Sequence, residues 1–196
     1  MIAFVRGKFA GKSPAKLVVD VNGVGYELQI SLHTYSAISA VTEGQLYTYL
    51  HITENGQTLY GFADLAEKEM FLHLISVSGV GAATARMMLS GMRPDEIARA
   101  IVQGNTRQLE GIKGIGKKSA ERLIVELRDK LARHPIEAGS GIEHPGVLDQ
   151  EGDAVQALVA LGIARSAAEN AVKKTVQAAN QPLVLEEMIK LALKSI

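Results

Sequence analysis

The 196-residue chain has no cysteine, which excludes a disulfide framework and thiolate chemistry alike. That absence makes a cytoplasmic home the default expectation. No apolar run approaches the roughly 20 residues that a membrane-spanning helix needs, so no membrane partner is expected. The opening Met1-Ile2-Ala3-Phe4-Val5-Arg6-Gly7 is too short and too soon interrupted to read as a secretory signal. The five histidines are scattered without metal-ligand spacing, so neither a metal nor a cofactor is expected. Net charge is missing too, with 21 basic side chains against 21 acidic ones. Such a balance weighs weakly against nucleic acid as a partner.

What charge there is lies in blocks. From Asn105 to His134 there are eight basic and four acidic side chains, a net +4. From Ala40 to Met70 there are five acidic residues and one lysine, a net −4. A basic block beside an acidic one suggests a surface that guides a charged ligand instead of holding it everywhere.

The first 63 residues read as a small β-domain. Lys16–Val21 and Tyr26–Ile30 are β-rich runs separated by the turn cluster Asn22-Gly23-Val24-Gly25. Leu46–Ile52 and Thr58–Phe62 flank Glu54-Asn55-Gly56, where Asn-Gly is a strong hairpin signal because both residues tolerate positive φ. About five short strands in this length suit a closed OB-fold barrel. Helical periodicity begins near Leu65, with Leu65, Phe71, Leu72 and Ile75 on one face and Glu67 and Lys68 opposite. Pro94 marks a helix start, and Lys117–Arg133 reads as one long helix. A helical domain thus spans 64–134. Residues 135–150, rich in proline and glycine, read as a flexible linker. Residues 151–196 read as three short amphipathic helices, the first ending at Leu161-Gly162 and the third opened by Pro182.

Within the helical domain the sequence repeats itself. Leu74, Val77, Gly79, Gly81, Ala85, Met88 and Leu89 match Leu109, Ile112, Gly114, Gly116, Ala120, Leu123 and Ile124, every pair 35 positions apart. Each copy reads as helix, glycine turn, helix. Glycine lets backbone N–H groups crowd up to an anion where the next helix presents its positive dipole end. Packing alone explains one such turn about as well. Two turns, with Lys117 and Lys118 directly after the second, favour phosphate binding. Lysines there oppose the dipole, which an anion would justify. Arg122 is four residues beyond Lys118 and shares its helical face. In the first copy Ala82 and Ala83 replace the lysines, leaving backbone N–H groups, the Ser78 or Thr84 hydroxyl, or Arg86. Arg86 aligns with Glu121 and has a structural ion pair as its other reading. The expected DNA-contacting set is Ser78, Gly79, Val80, Gly81, Gly114, Ile115, Gly116, Lys117, Lys118, Ser119 and Arg122.

Gly111–Lys117 also fits the start of a Walker A loop, but Lys118 stands where Ser or Thr should ligate Mg²⁺, and the segment follows helix instead of strand. No complete nucleotide-binding motif or catalytic constellation emerges. A helix-hairpin-helix nuclease or glycosylase, and a scaffold using the turns for packing alone, remain the alternatives.

The chain resembles the RuvA family, the bacterial Holliday-junction-binding subunits of the RuvAB branch-migration complex, over essentially its whole length. The resemblance rests on Leu59-Tyr60-Gly61-Phe62, on Ser76-Val77-Ser78-Gly79-Val80-Gly81, on Gly114–Leu123 and on Val159-Ala160-Leu161-Gly162. It implies an α+β multidomain fold: an OB-fold barrel, a tandem helix-hairpin-helix domain and a small C-terminal three-helix, UBA-like module. It implies a homotetramer on four-way junction DNA, with octamer formation and the RuvC resolvase left open. An acidic pin would sit at the tetramer centre, matched by Glu54 and, in a usually acidic place, Asn55. Four subunits would then carry four pin carboxylates where a two-acid pin carries eight. The tail would bind the RuvB motor ATPase through Leu158, Leu161 and Ile163, the last standing where an aromatic is common. ATP hydrolysis would belong to that partner.

Overall fold

The computed structural model describes residues 1–54, 56–133, 150–178 and 183–195. Five strands come first: β1 (Phe4–Ser13), β2 (Lys16–Val21), β3 (Val24–Ile30), β4 (Glu43–Thr53) and β5 (Gly56–Phe62). They close into a barrel in the order β1-β2-β3-β5-β4. Neighbours are antiparallel except β3 and β5, which run parallel. This is the five-stranded OB architecture. Strand alternation selects its filling: Val5, Leu17, Val19, Leu28, Ile30, Leu46 and Leu59 are buried inside.

Both hairpin turns differ in detail from the sequence expectation. Val21 pairs with Val24, so Asn22 and Gly23 alone form the β2–β3 turn, with φ of 52° and 89°. Positive φ at both places matches the twist of the flanking strands. In the other hairpin Thr53 pairs with Gly56. Glu54 therefore directly follows the last paired residue of β4, and Gly56, expected in the turn, is the first residue of β5. Asn55 itself lies outside the described residues.

A short helix, α1 (Leu32–Ala37), connects β3 to β4 and is capped by Ser31. The helical domain follows as α2 (Leu65–Ile75), α3 (Ala82–Gly91), α4 (Pro94–Val102), α5 (Thr106–Glu110) and α6 (Lys117–Arg133). These helices share one core, which also takes in Tyr60 and Phe62 from β5. The Phe71 ring sits 4.9 Å from that of Phe62 and 5.0 Å from that of Tyr60. The Tyr60-Gly61-Phe62 segment thus ends the barrel and seats the helices upon it.

The buried face of α2 is not the one its periodicity suggested. Met70, Phe71 and Leu74 are buried as apolar residues should be, but so is Glu67, at 0% exposure. Leu65 and Leu72 are exposed instead. The reason is a set of tertiary hydrogen bonds: Ser31 Oγ donates to one carboxylate oxygen of Glu67, and Thr34 Oγ1 donates to the other at 2.5 Å. The Ala63 N–H also donates to Glu67, at 3.3 Å.

The described residues from Gln150 onward form a separate compact unit. It comprises α7 (Gln150–Ala160), α8 (Arg165–Ala178) and α9 (Leu185–Lys194). Its small core holds Ala154, Leu158, Ala168, Ala171, Val172, Met188 and Ala192. Gly162 (φ 93°) ends α7, with Gly162 N donating to Val159 O and Ile163 N to Leu158 O, a Schellman motif. Helix α9 starts at Leu185, capped from Val184. Pro182, expected to open it, and residues 135–149 of the expected linker lie outside the described residues.

Candidate nucleic-acid interface

The two glycine turns are built alike. Gly79 and Gly114 take φ of 90° and 95°, a region that costs any other L-residue roughly 1–2 kcal/mol. The residue after each, Val80 or Ile115, turns its side chain into the core at 5% exposure. Its N–H donates back to Val77 O or Ile112 O, at 3.0 Å in both turns. Val80 and Ile115 were expected among the DNA-contacting residues. With side chain and N–H both engaged inside the protein, they are the anchors of the turns.

The second glycine of each turn caps the following helix. Gly81 is extended (φ −81°, ψ 165°), and its carbonyl accepts from Ala85 N at 2.9 Å. The Gly116 carbonyl accepts from Ala120 N at 3.0 Å. A glycine cap has no side chain to satisfy the first N–H groups of the helix. The exposed residues of those first turns, Ala83 in α3 and Lys117 and Lys118 in α6, lie at the positive end of each dipole, where an anion is favoured.

Side chains then separate the two turns. Lys113, Lys117 and Lys118 are exposed, Ser119 is half-buried, and none of the ion pairs among the described residues involves the three lysines. Ser78, Gly79 and Gly81 of the first turn are exposed but bring no charge. Arg86 does not supply one: its Nη1 donates to Ala15 O at 3.0 Å and Gln29 Oε1 at 2.7 Å, fastening α3 to the barrel. The expected ion pair is not what ties it: the partners are neutral oxygens, and none of the ion pairs among the described residues involves Arg86.

The same three blocks match known family models. Residues 1–61 match the RuvA N terminal domain, 71–129 a SAM-like helix-hairpin-helix tandem, and 149–196 the RuvA C-terminal domain. Curated relatives match end to end. A protein of Cytophaga hutchinsonii named Holliday junction branch migration complex subunit RuvA is 42% identical over 99% of both chains. Proteins of that name from Bacteroides thetaiotaomicron (44%, 99% of both) and Neisseria meningitidis (41%, 100% of this chain and 99% of the relative) are equally similar. The chain belongs to the RuvA family. The barrel, the tandem hairpins and the terminal helical unit are its three domains, in RuvA order.

The remaining expected site residues of this RuvA-family chain are spread over separate elements. Glu54 is exposed at the β4–β5 tip, in the same compact unit as the hairpins. Ile52, two residues before it, is 65% exposed. In the terminal unit Leu158 is fully buried, Leu161 is 65% exposed and Ile163 is partly buried. Leu158 thus belongs to the core of its module, whereas Leu161 lies on its surface. Arg122 is exposed but tied to two protein oxygens: its Nε donates to Glu126 Oε1 at 3.0 Å and its Nη1 to Ser78 O at 3.2 Å. Sequence reasoning missed that second contact, along with Met87, its counterpart 35 positions earlier.

Proposed function

We propose that this chain is the junction-binding, non-motor subunit of a branch-migration complex acting in recombination and DNA repair. It binds four-way DNA through phosphates, so it needs no particular base sequence. The observation that carries the reading is the pair of glycine-capped helix N-termini, the second flanked by Lys117 and Lys118. Each turn accommodates one stretch of backbone phosphate. The lysines supply most of the electrostatic attraction, and the first turn positions the duplex through N–H groups and the Ser78 side.

A homotetramer would array four such pairs around the arms of a junction, with Glu54 at the centre. Carboxylates there repel phosphate and hold the crossover open. The terminal module, through Leu161 and the partly buried Ile163, would engage the RuvB motor that hydrolyses ATP. An octamer and RuvC are further partners to test. The site of action is the cytoplasm.

Gel shifts comparing a four-way junction with a linear duplex of the same sequence test this reading, together with the native mass of the complex. Preference for the junction supports it, and equal affinity for both would sink it. Metal-dependent strand cleavage by the purified protein would favour a helix-hairpin-helix enzyme instead.

A further inference from the structure

The 35-residue offset relates more than the turns. It pairs Arg122, the sixth residue of α6, with Met87, the sixth residue of α3. Met87 lies near the second turn: a Cβ built on Gly114 would lie 4.0 Å from its Sδ. Arg122 bonds the first turn: its Nη1 donates to the carbonyl of Ser78, the residue before Gly79, at 3.2 Å. The first hairpin is therefore tied to the second helix of the other by a charge-assisted hydrogen bond whose donor is itself oriented by Glu126 at 3.0 Å.

We propose that Arg122 is a positioning residue that fixes the spacing of the two phosphate cradles, and is not itself a phosphate ligand. This rests on the hairpins being the DNA interface. Three facts support it. Two of its nitrogens already have protein acceptors. The Ser78 carbonyl belongs to the charge-poor turn, which has no lysine to recover a misplaced phosphate. And a duplex backbone presents phosphates at set intervals, so two cradles work together only at a matching separation. A lysine in place of Arg122 keeps the charge but lacks the planar fork that serves two acceptors at once.

Salt dependence of junction binding by the full-length protein separates the two roles. A phosphate ligand, when removed, lowers the slope of log K against log salt by about one. Lys118→Ala is the control for the interface and should do so. Arg122→Ala and Arg122→Lys should both weaken binding about ten-fold, the effect of one charge-assisted hydrogen bond, with the wild-type slope kept. Glu126→Gln is the sharpest arm. It removes a negative charge near DNA, yet should weaken binding by loosening Arg122. Amide exchange should quicken at Ser78–Thr84 in Arg122→Ala while Gly114–Ser119 stays unchanged. A slope lowered by about one in Arg122→Ala, or tighter binding by Glu126→Gln, would overturn the positioning role. An unchanged slope in Lys118→Ala would instead overturn the reading of the interface.

Discussion

Glu67 lies where the barrel meets the first hairpin, fully buried, and its hydrogen-bond partners are all neutral: two hydroxyls and one backbone N–H. Burial raises its pKa above the ordinary 4.5, while the bonds from Ser31 and Thr34, the nearby His33 and the Ala63 N–H offset only part of that rise. The folded state therefore binds a proton more readily than the unfolded chain. Stability from this group is fully present below 4.5 and is lost as pH rises through the folded value. The wild type should thus gain on Glu67→Gln as pH falls from neutral toward 4.5. Urea midpoints of both proteins across that range check this, and a constant difference between them would remove the proton linkage. Glu67→Ala is harsher, because it strips the acceptor from the hydroxyls of Ser31 and Thr34, while the Ala63 N–H keeps Thr34 Oγ1 at 3.1 Å. Each buried group left unpaired costs roughly 1–3 kcal/mol. That loss should appear first as a looser seam between α1 and α2, read by faster amide exchange around Ala63–Glu67.

Helix α6 sets stability against binding within a single turn. Lys117 and Lys118 sit at its positive end, and no acid occupies that first turn. Lys117→Glu should stabilise the folded chain by about 0.3–1 kcal/mol while weakening junction binding, two effects of opposite sign from one change. Urea denaturation and a gel shift on the same preparation decide it; a variant that loses both stability and affinity would contradict the dipole argument. Gly114→Ala should cost roughly 1–2 kcal/mol through its positive φ alone, since its nearest obstacle is the flexible end of Met87. The hairpins and α6 were legible in the sequence because local chemistry specifies them: glycines at a fixed offset and apolar residues at helical spacing. What stayed hidden depends on partners distant along the chain. Glu67 looked like a solvent-facing residue because its acceptors are satisfied from 36 and 33 positions away. Arg122 looked like a free cation because the Ser78 carbonyl is 44 positions away. Gly56 looked like a turn residue because strand register, and not the Asn-Gly pair, decides where β5 begins. The five-residue α5 is too short to display a period.

At the scale of the whole chain, zero net charge and nucleic-acid binding are compatible because charge and task are divided among domains. The open lysines lie on the hairpin domain, and the terminal module carries exposed apolar residues instead: Val159, Leu161, Val184, Leu191 and Leu193 are all at least 40% exposed. A module whose core holds seven buried apolar residues among those described has little apolar surface to leave outside, so such exposure suits a partner interface better than folding. Leu158 and Leu161, three residues apart, separate these roles. Leu158→Ala should lower the stability of the module by about 2–5 kcal/mol, since it opens a cavity in that core. Leu161→Asp should leave its melting unchanged and abolish stimulation of the RuvB motor. Removing residues 150–196 should reproduce the Leu161→Asp defect in branch migration without altering junction affinity, because the hairpins and their lysines belong to the other compact unit. Calorimetry of the full chain beside a motor-stimulation assay measures both arms. Loss of junction binding on truncation would mean that the terminal module helps hold DNA, and the division of labour would fail.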